Sequence, residues 1–390
     1  LLVSERNVED LLDALEVRFL GNRDPHLLFA LLTDFSDAAT AELPGDEHLL
    51  GVARNGIERL NDKYRDGGNP SFMLFHRPRT WNPRERIWMG HERKRGKLAD
   101  LNLLLRGSGH DRFSLLVGDV SRLSGVRYVI TLDTDTELPR DAGRQLVGVM
   151  AHPLNVPRFD ERKRRVTGGY GILQPRMAAT LPGANRSRYA QLYGSEPGID
   201  PYTRSVSDVY QDLFGEGSFI GKGIYDVDAF ERSCQGRFPD NFILSHDLLE
   251  GCYARSGLLS DILLYEDYPA SYASDVRRHE RWIRGDWQIA SWLLPRVPAV
   301  DGRGEPNPLS GLSRWKIFDN LRRSLVPAAL VCLTLVGWFV APRAWAWTLA
   351  LVGLVALPTL LNGLVALFRK PRELHLPRHA SAVFRATGNG

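Results

Sequence analysis

The spacing of apolar and polar positions divides the chain into a long stretch of alternating helices and strands and a much more apolar C-terminal part. Residues 7–20 (NVEDLLDALEVRFL) set Val8, Leu11, Leu12, Leu15 and Phe19 at helical intervals and stop at Gly21, which predicts an amphipathic helix. Residues 26–33 (HLLFALLT) predict a short buried strand tipped by Asp34, and residues 47–61 a second helix. Strands are expected at 71–77 and 87–89, and a helix at 98–105 behind the basic run 92–97. Residues 128–132 (YVITL) have the β-branched, apolar make-up of a strand buried on both faces of a parallel sheet. Further on, the pattern predicts helices at 140–150, 245–255 and 277–288 and strands at 166–174 and 263–268. Residues 158–165 read as a basic loop.

Near the end, Trp315, Ile317, Phe318 and Leu321 alternate with Arg314, Lys316, Arg322 and Arg323, the pattern of a helix lying in a membrane interface. Two apolar runs follow, 325–340 and 345–368, each close to the ~20 residues that cross a bilayer. Arg322 and Arg323 stand on one flank and Arg369, Lys370 and Arg372 on the other, with Arg343 alone between. That distribution predicts a transmembrane hairpin with both ends cytoplasmic. The expected domains are therefore 1–311, 312–372 and a tail, 373–390.

The central strand breaks into Asp133-Thr134-Asp135, with Pro139 shortly after. Ligands of open α/β sheets bind at such strand ends. Side chains at i and i+2 of an extended segment point the same way, so both carboxylates can reach one hard cation. From the tripeptide alone two readings stay open, cation binding and a solvated turn. Asp34 is likewise a ligand contact or a turn residue. Lys97, in the basic run, faces phosphate or belongs to a solvated surface. Ser245 is a plausible N-cap for the next helix, with Asp247 in its first turn. The glycine-rich stretch 214–223 lacks the G-K-[ST] ending of a P-loop. Its glycines, Gly217 among them, let backbone approach a bulky ligand. Arg278, Arg281 and Trp282 share one helix, where arginine suits phosphate and tryptophan suits a sugar ring, or both simply pack on its surface.

Charge and cysteine narrow the classes. Lys+Arg 50 against Asp+Glu 46 gives a net charge of +4, too mild to argue for nucleic acid. Three cysteines without metal-ligand spacing, Cys234, Cys252 and Cys332, fit a reducing compartment. The first ten residues have neither Met nor the features of a signal peptide, so the chain reads as the interior of a longer polypeptide, cut just after a strand.

Taken in order, Asp34, Asp133-Thr134-Asp135, Ser245-His246-Asp247 and Arg278-His279-Glu280-Arg281-Trp282 resemble the motif series D, D-x-D, [TE]-x-D and Q-x-x-R-W of processive family 2-type glycosyltransferases. The departures at Ser245-His246 and Arg278, with 88–98 (WMGHERKRGKL) and 277–288 (RRHERWIRGDWQ), make the chain similar to the family 84 cyclic β-1,2-glucan synthases. The resemblance implies an α/β fold, a GT-A-like mostly parallel sheet with helices on both faces, ahead of the interfacial helix and hairpin. It implies an inverting, membrane-bound glucosyltransferase that uses UDP-glucose and a divalent cation, Mg²⁺ or Mn²⁺, to extend a growing glucan chain. Asp133 and Asp135 would hold the metal. Asp34, Lys97, Arg278 and Arg281 would join them in donor binding, Asp247 would be the catalytic base, and Trp282 and Gly217 would contact the acceptor, the tryptophan by stacking. Tyr64 is the candidate primer tyrosine, or an ordinary loop residue. Further implied partners are the lipid bilayer and a glycoside phosphorylase-like region of the same polypeptide, with the catalytic domain on the cytoplasmic face of a bacterial-type inner membrane. Rival readings are a polysaccharide synthase of other linkage, a catalytically dead membrane scaffold and a haloacid-dehalogenase-like phosphatase. The last expects Thr or Val where Glu137 stands.

Overall fold

The computed structural model describes residues 1–65, 72–193, 208–300, 302–368 and a few positions between 375 and 384; most of the tail lies outside them. Helix α1 (Glu5–Gly21) starts where the Ser4 side chain accepts from the Asn7 amide, and it buries Val8, Leu11, Leu12 and Leu15 at the spacing the sequence predicts. Strand β1 (Phe29–Asp34), helix α2 (Asp46–Lys63) and strand β2 (Phe72–Arg77) follow. β1 and β2 run parallel with Asp34 directly opposite Arg77, so an acid and a base end adjacent strands. A short hairpin, β3 (Thr80–Asn82) with β4 (Ile87–Met89), leads into α3 (Arg93–Leu105), and β5 (Leu115–Val117) adds antiparallel to β2.

The second half carries β6 (Tyr128–Thr131), α4 (Ala142–Met150), the hairpin β7 (Arg158–Asp160) and β8 (Arg165–Gly168), and β9 (Ile172–Ala179). Helices α5 (Leu181–Asn185), α6 (Arg188–Tyr193) and α7 (Val209–Phe214) precede β10 (Gly223–Asp226), α8 (Val227–Cys234), α9 (Asp247–Ala254) and β11 (Ser256–Glu266). The sheet order is β11-β9-β10-β6, parallel only between β11 and β9. A mostly parallel sheet is therefore not what forms among the described residues: outside the two-stranded hairpins, the strands lie in two mixed sheets, β1-β2-β5 and β11-β9-β10-β6. Accordingly β6 is an edge strand whose Tyr128, Val129 and Ile130 are half-buried, not covered on both faces. Its short antiparallel pairing with β10 is what aims the acids after it. The basic stretch 158–165 is a hairpin, not a loop, because Phe159 and Val166 pair across it.

One hydrophobic core joins the two sheets. Met73 and Phe75 of β2, Leu101, Leu104 and Leu105 of α3, Ile172 of β9 and Tyr225 of β10 belong to it, and it extends to Trp292 and Ile317. The C-terminal half of α3 lies in that core, and the Tyr225 hydroxyl donates to Asn102 Oδ1 at 2.8 Å within it. Helix α10 (Tyr272–Gln288) and a small hairpin, β12 (Arg296–Val297) with β13 (Glu305–Pro306), close the body.

The interfacial segment and the first apolar run form one helix, α11 (Gly311–Phe339), and α12 (Ala344–Phe368) returns beside it. Nothing divides them because the apolar face is continuous and Pro327 is accommodated within the helix. α11 is long and apolar enough to cross a membrane. Trp338 and Trp347 hold the pair together by donating to Thr348 Oγ1 (2.9 Å) and the Leu333 carbonyl (2.7 Å), while Gly337 leaves room for the Trp347 indole. At the other end of α11, the buried Lys316 ammonium donates to the carbonyls of Glu216 and Gly217, which docks the helix onto the glycine-rich loop.

Candidate active site

The turn after β6 is held from two sides. Glu137 and Tyr265 form an antiparallel bridge, which brings the tip of β11 alongside the turn and sets Glu266 against it. From the far side Arg18 of α1 donates to the carbonyls of Thr136 (2.9 Å), Thr134 (3.0 Å) and Asp133 (3.4 Å). A single guanidinium spans the turn because its donors form a planar fork. Asn22, also at the end of α1, donates to the Pro139 carbonyl and accepts from the Gly143 amide.

So constrained, Asp133, Asp135 and Glu266 gather carboxylate oxygens within 4.8 Å of one another. Two ammonium groups meet them. Lys94 Nζ is 2.6 Å from Asp133 Oδ1, and Lys222 Nζ is 3.3 Å from Asp133 Oδ2 and also pairs with Glu266. Burial alone would raise the Asp133 carboxyl, but Lys94 and Lys222 outweigh it and hold it below the usual carboxylate range. In the same way burial opposes the Lys222 charge, yet Asp133 and Glu266 lift its pKa above the ordinary value. Three carboxylates at this spacing suit a hard divalent cation, and the two lysines stand where positive charge is required.

The basic run begins α3 instead of preceding it, with Glu92 before the helix in a left-handed conformation. Lys94 and Lys97 therefore face inward to acids of the site. Lys97 Nζ lies 3.7 Å from Asp34 Oδ2, and its burial lowers its pKa. Asp34 itself is buried in a bidentate pair with Arg77 at 2.8 and 3.0 Å, and Arg77 continues to Asp100 at 2.7 Å. Both Asp34 oxygens are thus engaged within the protein.

Asp247 opens α9, but the residue before the helix is His246, whose side chain makes no cap bond. Ser245, expected as the cap, instead lies against Gly285 of α10, where a Cβ would come within 2.2 Å of the Ser245 hydroxyl. Below Asp247, His246 Nδ1 is 2.9 Å from Glu250 Oε1 and 3.6 Å from Asp247 Oδ1. Burial would lower the His246 pKa, but Glu250 and Asp247 raise it, while Lys94 opposes them weakly. A raised histidine contributes stability that is complete below its unfolded pKa, about 6.5, and is lost as pH rises through the folded value. Glu250→Gln is therefore expected to lower the melting temperature most at about pH 6, with the gap from wild type shrinking toward alkaline pH in thermal unfolding scans. A constant gap across that range would reject the pairing.

Gly221 connects the two acid groups. Its carbonyl accepts from Lys94 Nζ at 2.8 Å, the same ammonium that binds Asp133. A Cβ at Gly221 would stand 2.7 Å from Asp247 Oδ1, and its φ of +87° favours glycine.

Other expected residues have different surroundings. Arg278 pairs with Asp275 at 2.7 Å and lies over the rings of Trp282 (4.9 Å) and Tyr268 (5.5 Å), while Arg281 is exposed. Trp282 is partly exposed on the same helix. Gly217 is buried: its close neighbour is Leu258 of β11, with Ser256 and Lys316 on its carbonyl, so the backbone approach it permits is within the chain. Tyr64 is held by Glu16 and packed on Phe19 and Phe72. That places it beside the start of β2, roughly 16 Å of strand from Arg77 at ~3.3 Å per residue. Lys94, Lys222, Glu266, Gly221, Glu250 and Arg18 were not marked as site residues by sequence. Glu266 did carry one signal, as an acid near the end of an apolar run, like Asp34.

Over 364 residues, 92% of its length, the chain is 45% identical to the cyclic β-(1,2)-glucan synthase NdvB of Rhizobium meliloti (strain 1021). The chain belongs with the cyclic β-glucan synthases. It spans 12% of the length of that relative, and no family model matches it. The order of acids that resembled such a synthase in the sequence thus lies in a homologous segment.

Proposed function

We propose that the chain is the glucosyltransferase part of a membrane-bound cyclic β-1,2-glucan synthase, with a GT-A-like fold, inverting chemistry and UDP-glucose as donor. The observation that carries this reading is the contact of Gly221 with both Asp247 and the Lys94 that binds Asp133. It is the link by which one residue neighbours both the proposed base and a partner of the proposed cation ligands. Asp133, Asp135 and Glu266 fit a divalent cation by donor type and spacing, and a bound cation would offset the charge of the donor's diphosphate. Lys94 and Lys97 lie beside it to add to that effect.

In the transfer step an acceptor hydroxyl oxygen attacks C1 of the glucosyl unit and its proton passes to the Asp247 carboxylate. The C1–O bond to the β-phosphate breaks, UDP leaves with the bonding electrons, and the anomeric configuration inverts. Trp282 offers its partly exposed ring to the acceptor, beside Arg278 and Arg281. Asp34 acts through Arg77 and Lys97 at the rim of the donor site. The apolar hairpin α11–α12 would anchor this body to a bilayer, the active site lying on the cytoplasmic side. Tyr64 is not carried forward as primer, because its hydroxyl is bonded to Glu16 away from these acids.

Membranes containing the full-length polypeptide, incubated with UDP-glucose, are expected to yield β-1,2-linked glucan. Another linkage, or no sugar transfer, would reject the assignment. Arg18→Met tests the brace on the turn. Losing its bonds to three carbonyls is expected to reduce kcat/KM for UDP-glucose about tenfold in a protein that stays folded. Unchanged kinetics would remove Arg18 as a positioning residue.

A further inference from the structure

Each oxygen of Asp133 has an ammonium neighbour. Lys94 takes Oδ1 and Lys222 approaches Oδ2, yet the two lysines differ in what else they hold. Lys94 is also tied to the Gly221 carbonyl at the rim, whereas the contacts of Lys222 among the described residues are with two acids of the cluster, Asp133 and Glu266. The Lys222 side chain is mostly buried, so its charge is tolerable only with those carboxylates as partners. Conversely, three carboxylates within 4.8 Å repel one another unless a cation lies among them. Gly221 and Gly223 flank Lys222 with φ of +87° and +147°, so the ammonium is presented from a segment with glycine on both sides.

We propose that Lys222 is the resident counter-ion of the Asp133–Asp135–Glu266 cluster, that a divalent cation enters by displacing its ammonium, and that Glu266 then serves as a third carboxylate ligand. This inference rests on the reading of Asp133 and Asp135 as cation ligands. It predicts an effect of opposite sign to that of a structural ion pair. A brace, when removed, leaves cation affinity unchanged or weaker; a competitor, when removed, makes it stronger.

The test is a Mn²⁺ titration of the purified full chain, followed by electron paramagnetic resonance of the free ion. Lys222→Met is expected to bind Mn²⁺ about tenfold more tightly than wild type, and Glu266→Gln about tenfold more weakly. Unchanged or weaker binding in Lys222→Met overturns the displacement, and unchanged binding in Glu266→Gln overturns the third ligand. Should Lys222→Met not fold, Lys222→Arg keeps a cation on the acids and is expected to bind Mn²⁺ no more tightly than wild type; tighter binding overturns the proposal. Wild-type protein showing no Mn²⁺ binding that Asp135→Asn abolishes would overturn both the inference and the cation reading beneath it. Asp135-dependent binding without the Lys222→Met gain overturns the inference alone.

Discussion

Asp247→Asn is expected to lower glucosyl transfer by at least about 10³-fold while UDP-glucose still binds with near wild-type affinity. The amide keeps the shape of the carboxylate and its fit against Gly221, but it cannot accept the acceptor's proton. Three surroundings make Asp247 the group to remove. It stands in the first turn of α9, where backbone amides favour an anion. It is partly exposed, whereas His246 and Glu250 beneath it are buried and paired with each other. Its Oδ1 is buried with no hydrogen-bond partner among the described residues, so no donor stabilises the carboxylate's charge there and lowers its basicity. The measurement is transfer rate beside donor affinity, on one protein preparation. Loss of both together would mean that the substitution disturbs the donor site, and equal turnover would transfer the role of base elsewhere.

What the sequence allowed, and what it withheld, follows from how each contact is made. Asp133 and Asp135 were legible because the period of an extended segment puts i and i+2 on one side, a property of three consecutive residues. The helix of α1 was legible for the same reason, since Val8, Leu11, Leu12 and Leu15 form its apolar stripe. Arg18 lies on that helix too, but its partners come 115 to 118 residues later, and no local pattern signals them. Glu266 meets Thr136 across 130 residues by the same logic. The strand 128–131 misled for a related reason: apolar β-branched residues fit an edge strand under neighbouring loops as well as a central one. Lys222 has no signal of its own in the glycine-rich stretch 214–223; the glycines around it do allow a close approach, that of Gly221 to Asp247. The family resemblance supplied the order of acids. It could not supply the lysines that occupy them.

The second large effect is expected at the turn itself, where Asp133→Asn and Asp135→Asn should separate two roles that both acids share on paper. Asp133 is a proposed cation ligand and also the partner of Lys94 and Lys222. Neutralising it leaves two lysines facing an amide, and these side chains are only 32% and 12% exposed, so water compensates them incompletely. Asp135 is exposed and has no ion pair among the described residues. Both variants are thus expected to lose cation-dependent UDP-glucose binding by about 10²-fold, the scale of one lost charged ligand in a partly buried site. Only Asp133→Asn should also lose stability, by about 1–3 kcal/mol after allowance for solvent around the exposed part of the group. Its pH dependence has a fixed sign. Because the lysines hold the Asp133 carboxyl below its ordinary pKa, the stabilisation is present above about pH 4 and is lost as pH falls through the depressed value. Denaturant titrations of the two variants at neutral and acid pH, beside equilibrium binding of UDP-glucose with and without Mn²⁺, read both effects. Equal stability losses in the two variants would mean that the lysines do not depend on Asp133. Wild-type donor binding in either variant would remove that acid from the cation site.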